Sequence, residues 1–89
     1  MLHKTLIIVN KLGLHARASA KLVDHASRYS SEILLKRGHH QANGKSIMGV
    51  MMLAANKGSE IEVIINGEDE VEAMADIETL IAQRFGEAE

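Results

Sequence analysis

The chain has 89 residues, a net charge of −2, no cysteine, and one tyrosine and one phenylalanine as its only aromatics. Those totals exclude disulfides, thiol nucleophiles and cysteine-based zinc sites, and leave too few aromatics for a stacking platform on nucleic acid. No run approaches the roughly 18 apolar residues of a membrane span. The opening "MLHKTLIIVNK" also lacks the apolar region and cleavage site of a signal peptide, so a single cytoplasmic domain over residues 1–89 is expected.

In chain order, residues 2–9, "LHKTLIIV", are rich in β-branched and apolar types and predict a largely buried strand. After "NKLG", the apolar positions Ala16, Ala20, Val23 and Ala26 recur at helical spacing, with Leu22 beside them, as far as about Tyr29. Residues 30–37 read as a second strand, and 39–42, "HHQA", as a short third strand pairing with it as a hairpin between Gly38 and Asn43-Gly44. Ser46 is placed to cap a short helix over 47–55, which Asn56-Lys57-Gly58 ends. Residues 59–66 form the fourth strand. Asp69 and Glu72 then make a capping-box-like start to a helix carrying Val71, Met74, Ile77, Ile81 and Phe85 on one stripe, with Gly86 as its stop. The order β-α-β-β-α-β-α predicts an α+β layer sandwich.

Charge is unevenly spread. Residues 1–58 hold nine Lys and Arg against Asp24 and Glu32, whereas 59–89 hold Arg84 against ten acids. If folding keeps the halves apart, one face is basic and suits a phosphate group or an acidic protein rather than nucleic acid.

His15 is the residue with the most chemical promise. It stands at the cap position of the first helix, where no Ser, Thr, Asp or Asn precedes, and its ring could accept from a first-turn N–H. The unpaired N–H groups and positive dipole end suit an anion, and favour the neutral, nucleophilic imidazole. Arg17 can set a guanidinium beside a phosphoryl group, and Gly13 permits a tight backbone approach. The residues describe a histidine able to take up a phosphoryl group and, because the phosphoramidate bond is labile, to pass it on. A solvated histidine acting only as a weak cap is the competing reading of the same spacing.

"GLHARAS" at 13–19 closely resembles the active-site signature of the HPr family, the histidine-containing phosphocarriers of the bacterial phosphotransferase system. "GKSIMGVMML" at 44–53 resembles that family's second signature, around a regulatory serine. The spacing of the two blocks and the order of elements agree along essentially the whole chain. The resemblance implies an open-faced β-sandwich, a four-stranded antiparallel sheet with three helices on one face. It implies that His15 is phosphorylated on Nδ1 by phospho-enzyme I, with phosphoenolpyruvate as the original donor, that Arg17 stabilises the phosphoryl group, and that enzyme IIA domains receive it. Such a protein is a carrier rather than a complete enzyme and works without cofactor or metal. The family's usual proline after the arginine is Ala18 here. That leaves the chemistry intact but opens the choice between the sugar-transport branch and the nitrogen-related branch, where the protein would act as a phosphorylation-dependent regulatory module.

"SIMGVMML" is apolar almost all round, so a short helix there must leave some residues exposed. The resemblance assigns Ile47, Met48 and Met51 to the docking surface for enzyme I and enzyme IIA, and Ser46 to phosphorylation by a serine kinase. Lys11, Arg17, Lys21 and Lys45 are the cations expected to line the site and steer acidic partners, Lys21 among the partner-binding residues. A monomer suits a carrier that must show His15 to successive partners. "GKS" at 44–46 fails as a phosphate loop because the required glycine falls on His39, and neighbouring His39 and His40 point apart on a strand. A small-molecule-binding domain without phosphotransfer is the remaining alternative, with no residue favouring a ligand.

Overall fold

In the computed structural model, which describes residues 1–89, the elements are β1 (Leu2–Ile7), α1 (Ala16–Ala26), β2 (Glu32–Arg37), β3 (His40–Asn43), α2 (Ile47–Met52), β4 (Glu60–Asn66) and α3 (Glu70–Ala82), with a 3-10 turn at Arg84–Gly86. Apolar alternation decides which face is covered. Ile61, Val63 and Ile65 of β4 and Ile33 and Leu35 of β2 are buried, while Glu62, Ile64 and Leu34 between them are only half-covered on the open face. The strands lie in the order β1-β4-β2-β3, and every neighbouring pair is antiparallel.

That order makes β1 and β2 parallel to each other across β4, and β3 and β4 parallel across β2. α1 and α2 are therefore crossovers, and the right-handed rule sends both to one face of the sheet. There Leu22, Val23 and Ala26 of α1, Val50 of α2 and Ala73, Met74, Ile77, Leu80 and Ile81 of α3 close the core against the strands. The fold is an α+β open-faced sandwich with three helices on one side, in the expected order.

Several local expectations are corrected. β1 is not a buried strand: it pairs only with β4, none of its residues is buried, and the first fully covered residue, Ile8, lies beyond it. An edge strand gets neighbours on one side only, whatever its propensity. α1 stops at Ala26, and its buried stripe runs through Ala18, Ser19, Leu22, Val23 and Ala26, with Ala16 and Ala20 exposed. Val71 is exposed on α3, and α3 ends at Ala82, so Phe85 reaches the core from the turn beyond it.

Asp69 also departs from expectation. Its side chain makes no cap to α3. Instead it accepts from the backbone N–H groups of Ser30 and Ser31 at 2.8 and 3.0 Å and from the Ser31 hydroxyl, tying the α1–β2 loop to the start of α3. A few residues on, Asp76 accepts from Tyr29 at 2.7 Å and pairs with His25 at 2.8 Å, joining α1 to α3 a second time.

The Ser31 hydroxyl, followed by the backbone N–H of Ser30, holds the Asp69 carboxyl at about 2, below its ordinary 3.8. A carboxyl depressed by folding stabilises fully above its unfolded value, and that contribution disappears as pH falls through the folded value. Asp69→Asn is therefore expected to be less stable than the parent at pH 7. Urea unfolding should show the gap closing as pH falls from about 4 towards about 2; a gap constant over that range contradicts the assignment.

Candidate functional site

The loop before α1 is set by a backbone contact that only glycine permits. Gly13 has φ +66°, and a Cβ there would lie 2.4 Å from the Ala55 carbonyl oxygen and 2.8 Å from Asn56 Cα. The next residue completes the junction, Leu14 N–H donating to the same Ala55 carbonyl at 2.9 Å. Buried Asn10 donates from Nδ2 to the Gly13 carbonyl at 2.8 Å, and Ser19 Oγ donates to the Leu14 carbonyl at 3.0 Å. His15 is thus delivered to the N-cap of α1 by a loop held on both of the residues before it.

At that position His15 has extended backbone, φ −72° and ψ 179°, and its carbonyl accepts the first helical bond from Ser19 N–H at 2.8 Å. Its ring does not cap the helix. The first-turn N–H groups of Ala16, Arg17 and Ala18 therefore have no intrahelical partner and present the positive end of an 11-residue helix. Nε2 of His15 faces the Glu87 carboxylate at 2.5 Å, whereas Nδ1 has no partner in the protein. The side chain keeps 26 % of its surface open, so the ring is within reach of another molecule. Arg17 is exposed and forms neither an ion pair nor a hydrogen bond, which leaves its guanidinium available two residues from His15.

Glu87 arrives by an unusual backbone path. After α3, Arg84 and Phe85 take φ +56° and +55°, followed by Gly86 at +79°. Left-handed conformation at a non-glycine residue costs of order 1–3 kcal/mol. For the two residues together that is about 2–6 kcal/mol, of which burial of Phe85, 1 % exposed, offsets about 1.5–3 kcal/mol. The rest of the segment is pinned by polar contacts: Lys21 Nζ donates to the Phe85 carbonyl at 2.7 Å, Asn10 Nδ2 to Glu87 Oε1 at 2.9 Å, and Lys11 N–H to the Glu89 carbonyl at 3.0 Å. Lys11 Nζ also pairs with the Glu89 carboxylate at 3.2 Å. The Asn10 hydrogen bond is the largest influence holding the Glu87 carboxyl below its usual range; burial opposes it and the His15 hydrogen bond adds to it.

The candidate residues divide accordingly. His15 and Arg17 stand together at the helix end. Lys11 and Lys21 adjoin the site but hold the segment after α3. Lys45 does not line the site: its Nζ donates to the Tyr29 carbonyl at 2.7 Å, just past the other end of α1. Ser46 caps α2, its Oγ accepting from Gly49 N–H at 3.2 Å. Ile47, Met48 and Met51 are exposed, as are Met52 and Leu12, which sequence pattern did not single out. The charge halves do not stay apart either, because Glu87 and Glu89 fold back onto His15 and Lys11. Asn10 and Glu87 are the site residues sequence reading missed, and a partner 72 positions away leaves no local signal.

Residues 2–83 match the family model for the PTS HPr component phosphorylation site. The phosphocarrier protein HPr of Cupriavidus necator is 53 % identical over 89 residues, covering all of both chains. The crystal structure of HPr-C-His from Thermoanaerobacter tengcongensis superposes with a TM-score of 0.96 at 40 % identity, again over the whole of both chains. A structure of an HPr dimer from the same organism gives 0.79 at 41 % identity, covering 98 % of this chain and 100 % of its own.

The Gly13–Ala55 contact yields a direct test. Gly13→Ala should lower unfolding stability by at least ~2 kcal/mol, since it adds left-handed strain to a clash with backbone. Urea unfolding measures this, and a loss below a few tenths of a kcal/mol would mean the loop relaxes at no cost.

Proposed function

The chain belongs to the HPr family of phosphotransferase-system phosphocarriers, and we propose that His15 accepts a phosphoryl group on Nδ1 from phospho-enzyme I and passes it to enzyme IIA domains. The observation that carries this reading is an imidazole with Nδ1 unpartnered at an uncapped helix N-terminus. The phosphoryl oxygens would meet the N–H groups of Ala16 and Arg17, and the free Arg17 guanidinium would neutralise charge as the group arrives and leaves. The protein has the part of a covalent relay: phosphoenolpyruvate is the original source, and the chemistry is completed by the partners on either side, with no cofactor or metal.

Partner recognition is assigned to Ile47, Met48 and Met51, together with Lys21. Flexible methionines adapt to differently shaped partners, and Met48 is 68 % exposed. Ser46 sits at the foot of this patch and is the proposed target of a serine kinase and phosphorylase. A phosphate there is compatible with the start of α2 but adds charge and desolvation cost beside an apolar docking surface. A cytoplasmic monomer is the form that suits successive encounters. Ala18 is buried in the first turn, where proline would also fit, so its presence spares the mechanism. It leaves the nitrogen-related regulatory branch as the alternative, distinguished by poor transfer to sugar-specific enzyme IIA.

Incubation with enzyme I and phosphoenolpyruvate should give an acid-labile, alkali-stable phosphate on the parent and none on His15→Ala. Label surviving that substitution defeats the proposal. Arg17→Ala is expected to slow transfer by roughly a hundredfold, as for loss of one charge-stabilising group. Ser46→Asp should weaken enzyme I binding while leaving the fold intact by circular dichroism.

A further inference from the structure

We propose that Glu87, oriented by Asn10, is a positioning residue that holds His15 in the tautomer with hydrogen on Nε2 and the lone pair on Nδ1. The inference rests on the reading of His15 as phosphoryl acceptor and supplies what that reading lacks, a reason why one ring nitrogen reacts and the other does not. An ionised carboxylate can only accept, so the contact between Glu87 Oε2 and His15 Nε2 at 2.5 Å requires the hydrogen to be on Nε2. A glutamate carboxyl is ionised at neutral pH in any case, and the Asn10 hydrogen bond favours that form further.

The surroundings hold this contact in place. Asn10 spends both hydrogens of its Nδ2, one on the Gly13 carbonyl and one on Glu87, while its buried Oδ1 finds no partner in the protein. A leucine or alanine there would avoid the unpaired oxygen, so the donors must be what the position requires. Through Gly13 the same side chain sets the loop carrying His15, and through Glu87 it sets the group facing the ring. Two consecutive left-handed residues, Arg84 and Phe85, and the Lys21 contact to the Phe85 carbonyl bring Glu87 to that point.

Electron balance gives the chemical consequence. The Nδ1 lone pair forms the bond to phosphorus, the bond from phosphorus to the donor breaks, and its electron pair leaves with the donor. The ring then carries positive charge shared with Nε2–H, where Glu87 already accepts. The proton stays on Nε2, so no base is needed, and the charged ring remains a good leaving group for the next transfer. Glu87 touches neither phosphorus nor the donor and acts entirely through His15.

Nitrogen-15 NMR of the unphosphorylated protein tests this independently of phosphotransfer. The parent should show His15 as the Nε2–H tautomer with an unprotonated Nδ1. Glu87→Ala should raise the share of the Nδ1–H tautomer, and Glu87→Gln, whose amide can donate as well as accept, should do so to a similar or smaller extent. Both variants should keep the parent's backbone spectrum and slow phosphorylation by enzyme I roughly tenfold. An Nδ1–H tautomer in the parent, unchanged tautomer populations in both variants, or an unchanged phosphorylation rate despite a changed tautomer would each overturn the assignment. Failure of enzyme I to label a parent protein whose Nε2–H tautomer is nevertheless lost in Glu87→Ala would refute the phosphocarrier function while supporting the Glu87–His15 contact.

Discussion

The close approach of Gly13 to the Ala55 carbonyl is the constraint on which the site depends. It joins the loop after β1 to the segment after α2, with no room for a side chain between them. Because Leu14 N–H uses the same carbonyl, the chain enters α1 at a fixed angle, and His15 takes up the cap without serving as one. A helix end left uncapped is ordinarily a defect. Here the missing cap leaves N–H groups free beside a reactive ring.

A second constraint comes from the segment after α3. Phe85 is buried by turning the backbone through two left-handed residues, and the same turn aims the nearby Glu87 carboxylate at the ring. Packing and chemistry are thereby coupled: the strain is offset in part by core burial, while polar contacts from Asn10, Lys11 and Lys21 fix the C-terminal residues as far as Glu89. Two of the four cations expected to crowd an incoming phosphoryl group, Lys11 and Lys21, serve this purpose, and Lys45 binds the Tyr29 carbonyl instead. Arg17 alone of the four forms no side-chain hydrogen bond or ion pair, and it is close to His15 because it is close to it in sequence.

The docking side is organised by different physics. α2 is six residues long and only Val50 is buried, so its remaining apolar residues have no core to join. Exposure of Met48 and Met52 at 68 and 74 % is the result of a small domain running out of interior. Ser46 begins that helix, so any charge placed there lies at the edge of the apolar surface. Leu12, 65 % exposed in the loop leading to Gly13, adds apolar surface on the His15 side.

Sequence by itself determined the element order, the α+β class, the position of His15 at a helix start and the Ser46 cap, because each depends on neighbours within one or two turns. Periodicity also found α1 and α3 while misplacing part of their buried faces: Ala16, Ala20 and Val71 fit the spacing but face solvent. Alanine is too indifferent to burial to fix a helix's phase, and one valine cannot outvote the sheet that α3 packs on. Only the tertiary structure decided that β1 is an edge, that Asp69 serves a distant loop rather than its own helix, and that Glu87 reaches His15. Each of these is a pairing between residues far apart in the chain, made when the core closes, and no local pattern encodes which distant groups that closure will bring together.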